Sequence, residues 1–304
     1  MIEEYTLRSL LEKYNINTDK IINKNNNILT YGEYQDIDAT LNYLINELEI
    51  DRSNIEKCPS ILYRNVGDIK ANVNFLKDKK VKFEDVETCL HVLSTDSQQL
   101  VNTYDYVEKN YGIDVINKTT SILRVTKLRI ISIENLNILL KNKNDVISVS
   151  IGINSIEEIQ EIINSKEFKE HPELFTSTTL AHAKLKEIQA LLELPYWKDE
   201  KYRRLLTSSV LANSKSIIKK LPVLFKMAED YDIDNYLNVS FLRKSPSQNY
   251  ALINYLIDND MPLVIDYKLN SIFSYQPVVL KKKYNIDIKQ LMQDYPLPVY
   301  ENIK

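Results

Sequence analysis

The chain has 304 residues, 44% hydrophobic and 27% charged, with a net charge of −3. That is the balance of a folded protein too long for one ordinary core, hence two domains or one extended repeat array. Four glycines (Gly32, Gly67, Gly112 and Gly152) are too few for hairpin turns, phosphate-cradling loops or dinucleotide fingerprints, and two cysteines make no disulfide framework.

Residues 1–27 read as an N-terminal capping helix. Met1, Ile2, Glu3, Glu4 and Tyr5 form neither a basic leader nor an Arg-rich transit peptide. No run approaches the roughly 18 apolar residues of a membrane span, so a cytoplasmic protein without membrane contact is expected.

From Ile28 onward an apolar pair recurs: Ile28-Leu29, Ile61-Leu62, Val92-Leu93, Ile122-Leu123, a degenerate Ser150-Ile151, Thr179-Leu180, Val210-Leu211, Phe241-Leu242 and Ile272-Phe273. Its second positions are separated by 33, 31, 30, 28, 29, 31, 31 and 31 residues, a period of the kind that marks helical repeats. Three positions after each anchor stand Gly32, Asn65, Asp96, Thr126, Asn154, Ala183, Ser214, Ser245 and Gln276. Six of these nine carry short side-chain oxygens that accept from free helix-start amides, which predicts a helix beginning about four residues after each anchor. Pro246 and Pro277 follow in the last two copies, where a missing N–H costs nothing.

Further on comes a second apolar pair, as at Tyr43-Leu44, Phe75-Leu76, Tyr106-Val107, Leu224-Phe225 and Tyr255-Leu256. A second helix, such as the stretch from Phe83 to Leu90, then leads to the next anchor. One such unit cannot bury its apolar faces alone, so neighbours must stack. The expected fold class is all-α: a right-handed α-solenoid of about nine two-helix repeats of about 31 residues. The array spans 28–291, and 292–304, with Pro296 and Pro298, forms a C-terminal tail or cap.

The unit resembles the repeat of the mitochondrial transcription termination factor (mTERF) family, a proline before Ile-Leu, a few polar residues and then an apolar-Phe-Leu cluster. Residues 58–76, with Pro59, Ile61, Leu62, Phe75 and Leu76, carry the resemblance most fully, and it extends over roughly residues 28 to 290. The resemblance implies a curved helical array that binds double-stranded nucleic acid along a basic concave surface. The chain departs from that family in its net charge and in lacking the proline before most anchors.

Charge is unevenly spread. Residues 1–50 hold four basic and nine acidic side chains, whereas residues 201–250 hold nine basic and four acidic. Lys127, Lys184 and Lys215 are predicted at the first helical position, with Arg64, Arg124, Arg243 and Lys244 in the turn before it. Lysine at a helix start opposes the helix dipole by about 0.3–1 kcal/mol, so the pattern breaks a local rule. Helix-start amides and cations aligned along one edge would suit a phosphate backbone. The candidate contacts are Arg64, Arg124, Lys127, Arg129, Lys184, Lys215, Arg243 and Lys244. The alternative reading makes these cations solvated turn residues and the chain a protein- or peptide-binding scaffold, receiving a basic partner at its acidic N-terminal repeats.

Catalytic chemistry is not visible. His91, His171 and His182 show no metal-ligand spacing, and no nucleophile elbow or Walker loop occurs. Cys58 and Cys89 stand four residues before Leu62 and Leu93 and read as small core residues, and Tyr63, Trp197 and Tyr275 as packing aromatics. No enzyme activity, metal or cofactor is expected.

Overall fold

The computed structural model describes residues 4–24, 28, 34–82, 86–136, 142–233, 237–261 and 275–298. Leu29, Gly32, Phe83, Ile272, Phe273 and the tail beyond 298 lie outside them. Every described element is helical, with no strand among the described residues. No described helix is long and apolar enough to cross a membrane.

Two compact units are present, Met1–Ile151 and Gly152–Lys304, divided at the degenerate anchor Ser150-Ile151. The first contains α1 (Glu4–Lys13), α2 (Thr18–Lys24), α3 (Tyr34–Asn42), α4 (Arg52–Lys57), α5 (Val66–Asp78), α6 (Val86–Leu93), α7 (Ser97–Tyr111), α8 (Ile113–Lys118), α9 (Lys127–Asn135) and α10 (Lys143–Ser150). Helix α3 packs on α5, α5 on α7 and α7 on α9, while α2 packs on α4 and α4 on α6. The helices of this unit therefore form two rows, each touching the element two places ahead.

Helix α7 shows why the rows form. Asp96 accepts from the Gln99 amide at 2.9 Å, satisfying one free donor at the start. Leu100, Thr103, Tyr104 and Val107 turn one stripe inward. Gly112, at φ 91°, supplies the positive-φ residue that ends the helix. Tyr104 meets Phe75 of α5 edge-on at 5.2 Å.

Anchors lie at the ends of the intervening row. Ile61, Leu62, Val92, Leu93, Ile122 and Leu123 are all buried in one continuous core. The segment carrying two of them is jointed: α4 stops at Cys58 and a 3₁₀ turn, Pro59–Tyr63, follows; α8 stops at Thr119 before a 3₁₀ turn, Thr120–Arg124. Cys58 and Thr119 each stand four residues before the anchor leucine and share ψ near 65°, at 65° and 64°.

The second unit contains α11 (Ile156–Asn164), α12 (Lys166–Glu170), α13 (Ser177–His182), α14 (Leu185–Leu192), α15 (Glu200–Arg203), α16 (Ser208–Ala212), α17 (Ser214–Ile218), α18 (Leu221–Asp230), α19 (Val239–Arg243), α20 (Pro246–Asp258), α21 (Pro277–Tyr284) and α22 (Ile288–Asp294). Again α11 packs on α14 and α14 on α17, while α13 packs on α16 and α16 on α19. Gly152 lies so close to α13 that an added Cβ would stand 2.5 Å from the Ala181 Cβ.

Helix starts follow the expected register at Asn65, Asp96, Thr126 and Ser245, each accepting a first-turn amide. At the degenerate anchor the cap moves one residue on, because Ser155 forms a capping box with Glu158 and Asn154 turns inward. Helix α17 is capped at Asn213, which puts Ser214 inside the helix, and α14 at Lys184, one residue past Ala183. Lys184 is thus a cap and Lys215 the second helical residue, while Lys127 does begin its helix.

Candidate nucleic-acid interface

The last carbonyls of a helix have no partner within it. Where anchor helices end against the core, a side chain from the preceding helix of the other row supplies the donor. In the first unit, Thr40 Oγ1 donates to the Arg64 carbonyl at 3.2 Å, and Asn72 Nδ2 to those of Leu93 and Thr95 at 3.1 and 2.8 Å. Thr103 Oγ1 donates to the Val125 carbonyl at 2.7 Å, and Arg129 Nε to that of Ser150 at 2.7 Å. In the second unit, Asn154 Nδ2 donates to the carbonyls of Leu180 and Ala183, and Lys220 Nζ to those of Arg243 and Lys244 at 3.0 and 3.2 Å. Lys244 Nζ, from the end of the anchor helix α19 itself, donates to the Tyr275 carbonyl at 2.9 Å.

Arg64, Thr95, Val125, Lys244 and Tyr275 are each the second residue after an anchor. These five of the ten acceptors therefore repeat in register, on donors that vary between hydroxyl, carboxamide and ammonium, whereas Ser150, Leu180 and Ala183 fall elsewhere relative to their anchors. Sequence reading missed this ladder. Its signal was a polar residue ten or eleven places after the anchor leucine (Thr40, Asn72 and Thr103) set among apolar positions and wholly or almost wholly buried.

The ladder decides what several candidate cations do. Arg129 is half-buried and spends its Nε on Ser150, and Lys244 is half-buried on Tyr275. Lys184 pairs with Glu158 at 2.5 Å. The Lys127 ammonium lies 5.5 Å from the Tyr106 ring centroid, an exposed cation–π contact. The guanidinium groups of Arg64, Arg124 and Arg243, and the Lys215 ammonium, are exposed and have neither hydrogen-bond nor ion-pair partner among the described residues. Arg64 and Arg124 belong to the first unit, Lys215 and Arg243 to the second.

Around α19 three cations converge. Lys220 holds the carbonyls of Arg243 and Lys244, and no carboxylate pairs with any of the three among the described residues. Burial first, and then the charge of Arg243, hold the ammonium groups of Lys220 and Lys244 below the ordinary lysine value.

Part of the acidic N-terminus is paired: Arg8 with Glu4 and Asp19, Lys13 with Asp38 and Lys70 with Glu47, while Lys20 pairs with Glu56. In the second unit a cleft of about 570 Å³ is walled by Glu167, Glu170, Glu173 and Glu193 together with Lys166, His171 and Arg203, of which Lys166 lies 3.6 Å from Glu170 and His171 3.5 Å from Glu173. One oxygen of Glu167 accepts from Gln189 at 3.2 Å, and the other is buried without a partner.

Cys58 Sγ stands 3.1 Å from His91 Nδ1 and 3.6 Å from Ser60 Oγ, a juxtaposition the sequence did not reveal. Cys58 is wholly buried, and that burial pushes its thiol up despite the nearby Arg124 charge. No substrate reaches a sulfur placed so, and the pair reads as a packed polar contact between successive segments. Cys89 is half-buried. Trp197 is buried, donates from Nε1 to the Leu191 carbonyl at 2.6 Å and meets Phe225 edge-on at 6.1 Å. Among the described residues no group of three His, Cys, Asp or Glu side chains could hold a metal ion. No family model, curated protein or solved structure matches the chain.

Proposed function

We propose that the chain is a non-enzymatic helical-repeat protein, a right-handed α-solenoid of about nine two-helix layers similar to the mTERF repeat, that binds the phosphate backbone of double-stranded nucleic acid. The two rows of helices in each unit and the carbonyl ladder support the repeat.

One observation carries the ligand. Arg64, Arg124 and Arg243 stand one or two residues after their anchors, exposed and without acidic partners among the described residues, although the chain holds 42 acidic and only 39 basic side chains. With acid in excess, an arginine left unpaired just after an anchor is a donor fork kept for an external oxyanion. Fluorescence anisotropy with a short duplex at low salt tests the reading. Binding that weakens linearly on a log–log salt plot, by about 0.9 per phosphate neutralised, is expected, and no binding removes the reading.

The second reading, a scaffold for a basic protein segment, is favoured by the cleft at Glu167, whose unpartnered carboxylate oxygen calls for a donor. A lysine- or arginine-containing peptide whose binding is lost in Glu167→Gln would favour it. A peptide that binds neither protein would exclude it.

A further inference from the structure

Helices α19, α20, α21 and α22 of the second unit line a half-open cavity of about 290 Å³. Ser240, Arg243, Lys244, Gln248 and Gln276 bring polar groups to its wall, over a floor that includes Leu280. None of its lining residues among the described residues is acidic. Its size is at the low end of small-molecule clefts, about 300–1,000 Å³, but those are mainly apolar and this one is polar and cationic.

The unbalanced charge is the informative feature. The Arg243 guanidinium, with five N–H donors, has no partner among the described residues. Lys244 places one N–H on the Tyr275 carbonyl and keeps two more. Behind this wall Lys220 is held by the carbonyls of Arg243 and Lys244, so a third positive charge is fixed close by. The start of α21 adds to these: Pro277 has no N–H, and the Gln276 side chain caps none of the first-turn amides. Three mutually repelling cations with no carboxylate among the described residues keep that arrangement at a cost that a bound anion would offset.

We infer that this cavity is a binding site for a single phosphate group, with Arg243 as the bidentate donor and Lys244, Gln248 and Gln276 completing the shell. The assignment stands on the cavity itself and not on the nucleic-acid reading. Inorganic phosphate, a phosphomonoester or one phosphate of a nucleic acid would each present the same oxygens.

The test is titration of the full chain with inorganic phosphate in a zwitterionic buffer of low ionic strength, followed by calorimetry. Saturable binding near ~1 mM is expected, weakened about tenfold or more in Arg243→Gln and unchanged in Lys219→Gln, an exposed cation of the same region outside the cavity. No saturation up to ~10 mM, or equal weakening in both variants, overturns the site. Should Arg243→Gln not fold, side-chain N–H shifts in the unaltered protein decide: movement of Arg243 and Lys244 signals supports the site, and movement confined to other residues overturns it. A short duplex separates the sources. Phosphate binding without duplex binding upholds the pocket and removes the nucleic-acid reading, whereas duplex binding that free phosphate fails to displace, in a chain that takes up no phosphate, removes the pocket alone.

Discussion

Asn72, wholly inside the first unit, donates from its carboxamide to the carbonyl of Thr95 at 2.8 Å, joining the middle of α5 to the turn after α6, 23 residues on in sequence. The same carboxamide holds the Leu93 carbonyl at 3.1 Å. Replacing Asn72 by Leu leaves both carbonyls without this donor and should cost about 2–3 kcal/mol, measured by urea denaturation. The Thr103→Val exchange removes one bond with little change of shape and should cost about 1 kcal/mol. Equal stability of wild type and Asn72→Leu would show that the ladder contributes nothing.

Gly152 is tied to a single neighbour. Because a methyl there would meet both Cβ and the carbonyl oxygen of Ala181, at 2.5 and 2.6 Å, Gly152→Ala should destabilise the chain by about 1–3 kcal/mol. A thermal melt unchanged in Gly152→Ala would contradict that close approach.

Alkaline stability should depend on Glu134, which accepts from the hydroxyls of both Tyr106 and Tyr111. Burial first and the Glu134 contact second push Tyr106 up to about 12, and Tyr111 shifts upward for the same reasons. An unfolded tyrosine titrates near ~10. Between the two values the unfolded chain releases protons the folded chain keeps, so stability present below ~10 is lost as pH rises toward the folded value. Glu134→Gln should flatten that fall in a comparison of denaturation midpoints across this window, and parallel curves would refute the assignment.

Thiol chemistry should distinguish the two cysteines. Cys58 is wholly buried with its thiol pushed up, whereas Cys89 is half-buried. A thiol-specific reagent should modify Cys89 before Cys58 in the native chain and both at once after denaturation. Faster labelling of Cys58 would place it at an accessible surface.

The positions of the helices were largely legible because their signals are local. An apolar pair every 28 to 33 residues and a capping side chain three places on are written in adjacent letters, and Asn65, Asp96, Thr126 and Ser245 cap where those letters put them. What escaped the sequence is non-local. The bonds from Asn72, Thr103, Arg129 and Lys220 run to carbonyls 21 to 24 residues away, and nothing nearby shows that a lysine such as Lys220 will be turned inward. The same holds for the candidate interface. Arg129, Lys184 and Lys244 look alike to Arg64, Arg124 and Arg243 in sequence, and only the fold shows that the first three have intramolecular work and the last three guanidinium groups have no partner among the described residues.

The most direct measurement is duplex binding by the wild type and by the triple variant Arg64→Gln, Arg124→Gln, Arg243→Gln, from ~50 to ~200 mM salt. If those arginines are phosphate contacts, the log–log slope of the variant should be shallower by about 0.9 for each arginine removed, with an unchanged thermal melt. Identical slopes, or a wild type that binds no duplex even at the lowest salt, would contradict the account.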